Sequence, residues 1–428
     1  MLISDETIQQ ALAESGAADI KQLSIREVGK LVSIIERISG IEFIHMEMGV
    51  PGLPASPIGV AAERAALDTN CTAQYTNIEG IDVVKPEIAR FVKNFMNVDV
   101  PASCCVPTVG SMQGSFAAFL ATARTNPDKP YTLFIDPGFP VQKQQLTLMG
   151  CPYLSFDLLD YRGEKLQEKL EEFLKVGNVS AISYSSPNNP SWVCLTEREL
   201  EIIGTLATKY DVIVIEDLAY FGMDFGQDYG TPCREPYHPT VARYTDNFIL
   251  LLSASKIFSY AGQRIGMMAV SPSLYFRKYE NLKRYFTNDQ LGHFMAYGVL
   301  YATTAGTAHT AQLALAAMLR AVNNGEINFT HALKSYEHKA REMKRIFLAN
   351  GFRLVYTEAD GDIANGFYFT VAYKDLTSVE LIELLLRNGM SAISLGITGS
   401  TSTQGLRICV SFVRDEQIAV LEERLSEL

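Results

Sequence analysis

The sequence predicts an α/β fold: a large domain with a mostly parallel sheet between helices, and a smaller α+β domain built from both chain ends. Three observations carry that expectation. Between about residues 58 and 320, short β-rich runs alternate with helical stretches, the pattern of a parallel sheet covered on both faces. After residue 325 the texture changes to one long polar-faced helix followed by strands and helices intermixed. The chain has 428 residues, long enough for two separate cores.

The elements follow in order. The first ~40 residues read as two helices, since apolar positions recur at helical spacing. The second opens at Ser24, with Glu27 completing a capping box, and stops near Gly40. Gly49-Val-Pro-Gly-Leu-Pro-Ala-Ser-Pro57 reads as a crossing or active-site loop. The strands expected next are Thr132–Ile135, Ala181–Tyr184, Val212–Glu216, Phe248–Leu252 and Ile265–Val270, and Thr196-Glu-Arg-Glu199 caps a helix between two of them. Beyond 325, a helix is expected from Asn328 to Asn350, ending at Gly351. Strands are expected at Gly366–Ala372 and Leu406–Phe412, with helices at Ser378–Asn388 and Asp415–Leu425. This divides the chain into N-terminal helices and crossing loop (1–57), a large domain (58–325) and a small C-terminal domain (326–428).

Composition removes several functions. Hydrophobic residues are 47% and charged residues 20%, an ordinary globular balance. A formal net charge of −11 opposes a nucleic-acid surface, which needs a basic stripe. No stretch approaches the roughly 18 consecutive apolar residues of a membrane span, and the acidic start Met-Leu-Ile-Ser-Asp-Glu does not read as a signal peptide. Seven scattered cysteines, two of them adjacent at Cys104 and Cys105, form no disulfide framework and favour a reducing, cytoplasmic setting. The six histidines show no paired spacing, so no metal site is expected.

The chemistry gathers at strand ends, where open α/β sheets hold ligands. Phe248–Leu252 leads into Ser253-Ala-Ser-Lys256, with Arg264 eight residues after the lysine. Val212–Glu216 leads into Asp217, with Tyr220 three further on. A lysine amine, a carboxylate, a phenol and an arginine delivered together are the parts needed to hold pyridoxal phosphate. The lysine forms an imine with its aldehyde, and the carboxylate pairs with the pyridinium nitrogen. Thr108-Val-Gly110-Ser111-Met112-Gln113-Gly114 opens a helix, and free N–H groups there suit a phosphate that Arg264 can also grip. Phe139, in Asp136-Pro-Gly-Phe139-Pro, is an aromatic suited to ring stacking, though Pro-Gly-Phe also makes a plain turn. Asn189 lies in an Asn-Pro turn signal. Arg407 shares one face of its strand with Cys409 and Ser411, either as an ordinary salt-bridge arginine or as a clamp for a substrate carboxylate.

In order and spacing these residues resemble the class I/II aminotransferases, the aspartate-aminotransferase-like fold-type I family of pyridoxal phosphate enzymes, from Gly49 to Arg407. The resemblance implies a seven-stranded sheet in the large domain and Lys256 as the imine lysine and proton carrier. It implies Asp217 on the ring nitrogen, Tyr220 and Asn189 on the ring oxygen, and Phe139 on the ring face. Gly110, Ser111, Met112, Ser253 and Arg264 match the phosphate cup. Tyr75 matches a tyrosine that reaches the neighbouring subunit's phosphate, hence a homodimer with shared sites. Arg407 and Gly49 match the substrate-carboxylate arginine and the loop glycine over the substrate, with Asn189 also beside it. The activity implied is transfer of an amino group between an amino acid and a 2-oxo acid by a ping-pong mechanism. Three departures stand out. Ser191-Trp192 replaces the family's usual Thr-Gly, Met112 offers the phosphate only its backbone, and no second arginine is assignable to a dicarboxylic substrate.

Two other outcomes use the same parts. A lyase (carbon–sulfur or elimination type) or a decarboxylase shares the electron sink and differs in which bond at the α-carbon breaks. A non-catalytic, cofactor-binding sensor domain would need a basic helix-turn-helix segment, for which the ~40 N-terminal residues are too short and the chain too acidic.

Overall fold

A computed structural model describes residues 2–16, 23, 25–358 and 361–428. Its strands are β1 (Ile44–His45), β2 (Cys105–Thr108), β3 (Tyr131–Asp136), β4 (Tyr153–Asp157), β5 (Val179–Ser185), β6 (Ile213–Leu218) and β7 (Phe248–Ser253). They continue with β8 (Gly266–Val270), β9 (Phe352–Leu354), β10 (Tyr368–Tyr373), β11 (Met390–Ser391), β12 (Ile393–Ser394) and β13 (Leu406–Cys409). Seven of them form one sheet in the order β2-β8-β7-β6-β5-β3-β4. Every pairing from β7 through β6, β5 and β3 to β4 is parallel, and only β8 runs against its neighbours. All six residues of both β6 and β7 are buried, as expected of near-continuous apolar strands covered on both faces.

The five expected strands are present, and β2 and β4 complete the seven. Their sequences explain why the pattern did not show them. β2 contains Pro107, which argues against a strand away from a sheet edge, and β2 is an edge. β4 is the opposite edge, with mixed burial that blurs its hydrophobic signal. Asp217 falls within β6 rather than beyond its end, and the strand at Leu406 closes at Cys409, short of Phe412.

The second sheet, β12-β13-β10-β9, is antiparallel throughout. The N-terminal segment joins it from the far end of the chain. β1 pairs in parallel with β11, matching Ile44 to Met390, and the Cys409 amide donates to the Met46 carbonyl at 2.9 Å. The smaller α+β unit is therefore built from both chain ends. Helices cover Asp5–Ser15 and Ile25–Ser39, and Gly40 follows with φ of 71°. The capping box expected at Ser24 lies outside the described residues. The box at Thr196 is formed, with Thr196 and Glu199 each bonding the other's backbone N–H. Asn328 caps the long helix Phe329–Ala349. Among the described residues no helix is long and apolar enough to cross a membrane.

Candidate active site

β7 carries its buried run directly into a short helix, Ala254–Ile257, whose third residue is Lys256. Ser253 starts that helix, its hydroxyl accepting from the Ser255 amide at 3.2 Å. The Lys256 amine turns inward and donates to the Gly49 carbonyl. It lies 5.1 Å from the centroid of Phe367 and 5.9 Å from that of Tyr220. Burial brings the amine down to about 8, and the charges of Arg407 and Arg264 push the same way. A lysine so enclosed is a far better nucleophile at neutral pH than a surface lysine.

On the neighbouring strand Asp217 pairs in register with Leu251. Its carboxylate accepts from Gln142 Nε2 at 2.8 Å and from the Ala219 amide at 3.0 Å. Burial nevertheless raises it to about 6, and no cation among the described residues pairs with it. Two buried groups shifted in opposite senses stand at the ends of adjacent strands without forming an ion pair, the kind of pattern that makes a candidate site. Gln142 was not anticipated. It lies three residues beyond Phe139, in the helix Pro140–Leu148 that Phe139 precedes, and the Pro-Gly-Phe-Pro turn was the signal that could have found it.

Arg407 is 1% exposed. One terminal nitrogen donates to Asn189 Oδ1 at 3.0 Å and the other to the Glu47 carbonyl, while Nε is buried without a partner. The salt-bridge alternative fails, because both contacts are to neutral groups. Asn189 therefore meets Arg407, and the hydroxyl of Tyr220 meets that of Tyr368 at 2.6 Å. Tyr368 stands opposite Cys409 in register on β10, a cross-strand relation that pattern alone did not single out.

The residues expected at a phosphate lie near one another. The helix Gly110–Thr122 begins where β2 ends, and the exposed guanidinium of Arg264 lies against Gly110. Gly266, two residues on, packs against the Ser111 amide. Ser111 and Met112 occupy the first turn, with the Met112 carbonyl accepting from Gln145 at 2.8 Å. Phe139 is half-buried at its helix start. Tyr75 is 94% exposed.

Trp192 resolves the altered turn. It takes φ of 63°, a left-handed conformation uncommon for a bulky side chain, and is completely buried. Its indole meets Tyr220 and Tyr368 edge-on at 5.3 and 5.8 Å. The indole edge lies so close to Gly366 that any side chain there would overlap it. Gly366 thus leaves the room that the indole fills.

The sequence matches the family described as "Aminotransferase class I and II" over residues 46–425. Among curated relatives, it is 26% identical over 233 residues to an LL-diaminopimelate aminotransferase of Gloeobacter violaceus, spanning 54% of this chain and 57% of the relative. It is 24% identical over 268 residues to an aspartate aminotransferase of Pyrococcus horikoshii, spanning 62% of this chain and 64% of the relative. The match thus spans less than two thirds of either relative. A Thermus thermophilus aspartate aminotransferase double mutant superposes over 100% of both chains, with a TM-score of 0.77 at 18% identity. A methionine aminotransferase of Escherichia coli, YbdL, covers 94% of this chain and is covered to 97%, with a TM-score of 0.76 at 17% identity. At those identities the structural likeness shows a shared fold. The chain belongs to the class I and II aminotransferase family.

Proposed function

We propose that the chain is a pyridoxal-phosphate-dependent aminotransferase, moving an amino group between an amino acid and a 2-oxo acid. The observation that supports this most is the buried Asp217 carboxylate, raised to about 6 with no cation beside it among the described residues. A protonated ring nitrogen is the partner it lacks, so the residues present fit the cofactor. When bound, pyridoxal phosphate supplies an electron sink for the pair released at the substrate's α-carbon.

The remaining roles belong to this chain's side chains. Lys256 would attach the cofactor and, once freed by substrate, would carry the proton between the substrate's α-carbon and the cofactor carbon. Its amine, at about 8, is near enough to neutrality to work in both directions. Asp217 holds the ring nitrogen's proton, with Gln142 orienting the carboxylate. Tyr220 and Asn189 serve the ring oxygen, and Phe139 covers the ring face. The N–H groups of Gly110, Ser111 and Met112, with Ser253 and Arg264, hold the phosphate. Arg407 takes the substrate carboxylate through its unpartnered Nε–H and by releasing the neutral partners it now holds, while Gly49 borders the substrate. A neighbouring copy would receive Tyr75, making a homodimer with shared sites. We retain the division at 1–57, 58–325 and 326–428, and a cytoplasmic setting in keeping with seven unpaired cysteines.

The test is a screen of single amino acids against the purified protein loaded with pyridoxal phosphate. Loss of the visible band with stoichiometric oxo-acid release, and its return on adding a second oxo acid, is the expected outcome. Release of ammonia or carbon dioxide instead would replace transamination by elimination or decarboxylation.

A further inference from the structure

Tyr220 and Tyr368 bring two phenol oxygens to 2.6 Å from positions 148 residues apart. Both rings are buried, at 5% and 1% exposure. They are boxed by Trp192, edge-on to each, and by Phe367 at 5.5 Å from Tyr220 and 5.3 Å from Tyr368. Neither ring can swing away without disturbing that box.

Tyr368 also touches other parts of the site. Its hydroxyl lies so close to Gly49 that a side chain there would overlap it, and the carbonyl of Gly49 accepts from Lys256. The guanidinium carbon of Arg407 sits 4.4 Å from the centroid of the Tyr368 ring, a cation–π geometry. One phenol therefore borders the lysine's carbonyl partner, the carboxylate arginine and the ring-oxygen tyrosine.

We propose that Tyr368 is a positioning residue for the reaction, donating its hydroxyl proton to Tyr220 and thereby making Tyr220 a stronger donor to the cofactor's ring oxygen. The inference rests on the role given to Tyr220 above. The direction of the shared bond follows from counting protons. Each phenol has one hydrogen to give. If Tyr220 gives its hydrogen to the ring oxygen, it can only accept from Tyr368. Among the described residues Tyr220 is the one hydrogen-bond partner of the Tyr368 hydroxyl, so no competing acceptor draws that proton elsewhere. Donation into a hydroxyl that is itself donating polarises it, strengthening the second bond by roughly 10–30%. Arg407 over the ring face acts in the same sense, since a cation drawing on the π cloud makes the phenol more acidic.

The test is the pH titration of the visible absorbance of the pyridoxal-phosphate-loaded protein, a readout separate from turnover. Tyr368→Phe keeps the ring, its packing and the Arg407 contact, and removes only the hydroxyl. The titration midpoint is expected to rise by about 0.5–1 unit, because the ionised ring oxygen then accepts from a weaker donor, Tyr220. The kcat should fall about three- to tenfold with KM for the amino acid within about twofold. Incorporating 3-fluorotyrosine at position 368 gives a more acidic phenol that still donates, and should move the midpoint downward. In a Tyr220→Phe background, Tyr368→Phe should leave the midpoint where the single Tyr220→Phe change puts it. A midpoint that stays put in the Tyr368→Phe protein, or a shift that persists without the Tyr220 hydroxyl, overturns the proposal while leaving the cofactor reading intact. A parent protein that develops no visible band with pyridoxal phosphate overturns both.

Discussion

The site has two walls, and they satisfy their polar groups differently. The wall at the carboxyl ends of β6 and β7 presents Asp217 raised to about 6 and Lys256 lowered to about 8. Both groups carry an electrostatic debt that their protein neighbours leave standing. The wall formed by β10, β13 and the turn at Asn189 is more fully hydrogen-bonded, although Arg407 Nε and Trp192 Nε1 are buried without partners. Arg407 is held by Asn189 and the Glu47 carbonyl, Tyr220 by Tyr368, and Trp192 fills the space behind. The walls thus differ in kind: one presents buried groups shifted from their ordinary titration, and the other a packed aromatic cluster around a guanidinium held by neutral acceptors.

Removing a reactive group from the first wall should have the largest effect. Lys256→Ala is expected to reduce transamination by about 10²–10⁴-fold or more and to abolish borohydride-trapped attachment of the cofactor. The protein should still fold, because among the described residues the lysine amine bonds only the Gly49 carbonyl. Borohydride trapping at another lysine would break the comparison, since the charge debt would then sit elsewhere.

The second wall should answer with stability. Trp192→Ala empties a fully buried indole volume, and loss of a buried Trp costs about 3–5 kcal/mol. Urea unfolding of the cofactor-free protein checks this. A loss under about 1 kcal/mol would mean that relief of the left-handed φ of 63° outweighs the cavity, and the wall would be strained rather than satisfied. Arg407→Ala is the intermediate case. It should lower kcat/KM for amino acids by tens- to thousands-fold, corresponding to about 2–5 kcal/mol, while cofactor affinity stays within a few-fold. Loss of the cofactor along with the substrate would make Arg407 a structural post.

The walls also differ in how far the sequence reveals them. Lys256, Asp217 and Arg264 follow buried runs by fixed, short offsets, so strand-end logic finds them one at a time. Arg407 was visible only as one face of a strand and through the family resemblance. Its partners Asn189 and Glu47 lie 218 and 360 residues away, and nothing local pairs them. Tyr368 and Gln142 were not singled out for the same reason, since each acquires its meaning from a contact with Tyr220 or Asp217 that only the fold creates. The edge strands β2 and β4 escaped because proline and mixed exposure weaken a strand's pattern where pairing is one-sided. Trp192 was legible as a departure, but the room left for it at Gly366 was not, because a small residue across an interface leaves no trace in spacing.

The smallest expected effect tests the debt itself. Asp217 is raised from its ordinary value of 3.8 to about 6 by burial, against the hydrogen bonds from Ala219 and Gln142. A group whose folded value is raised lends stability below its unfolded value and loses it as pH climbs through the folded one. The cofactor-free protein should therefore lose on the order of 1–3 kcal/mol from this carboxyl between about pH 4 and pH 6. Asp217→Asn removes the charge, so at pH 7.5 the cofactor-free variant should melt above the cofactor-free parent. Saturating pyridoxal phosphate should reverse that order, because the parent's carboxylate then gains its cation and the variant gains none. The check is a pair of melting curves with and without cofactor at pH 7.5 and again at pH 4.5, where the advantage of the variant should shrink. If the variant melts lower without cofactor at pH 7.5, the bonds from Gln142 and Ala219 outweigh desolvation. The first wall would then be as fully hydrogen-bonded as the second, and its readiness for a cation would have to come from Lys256 and Arg264 alone.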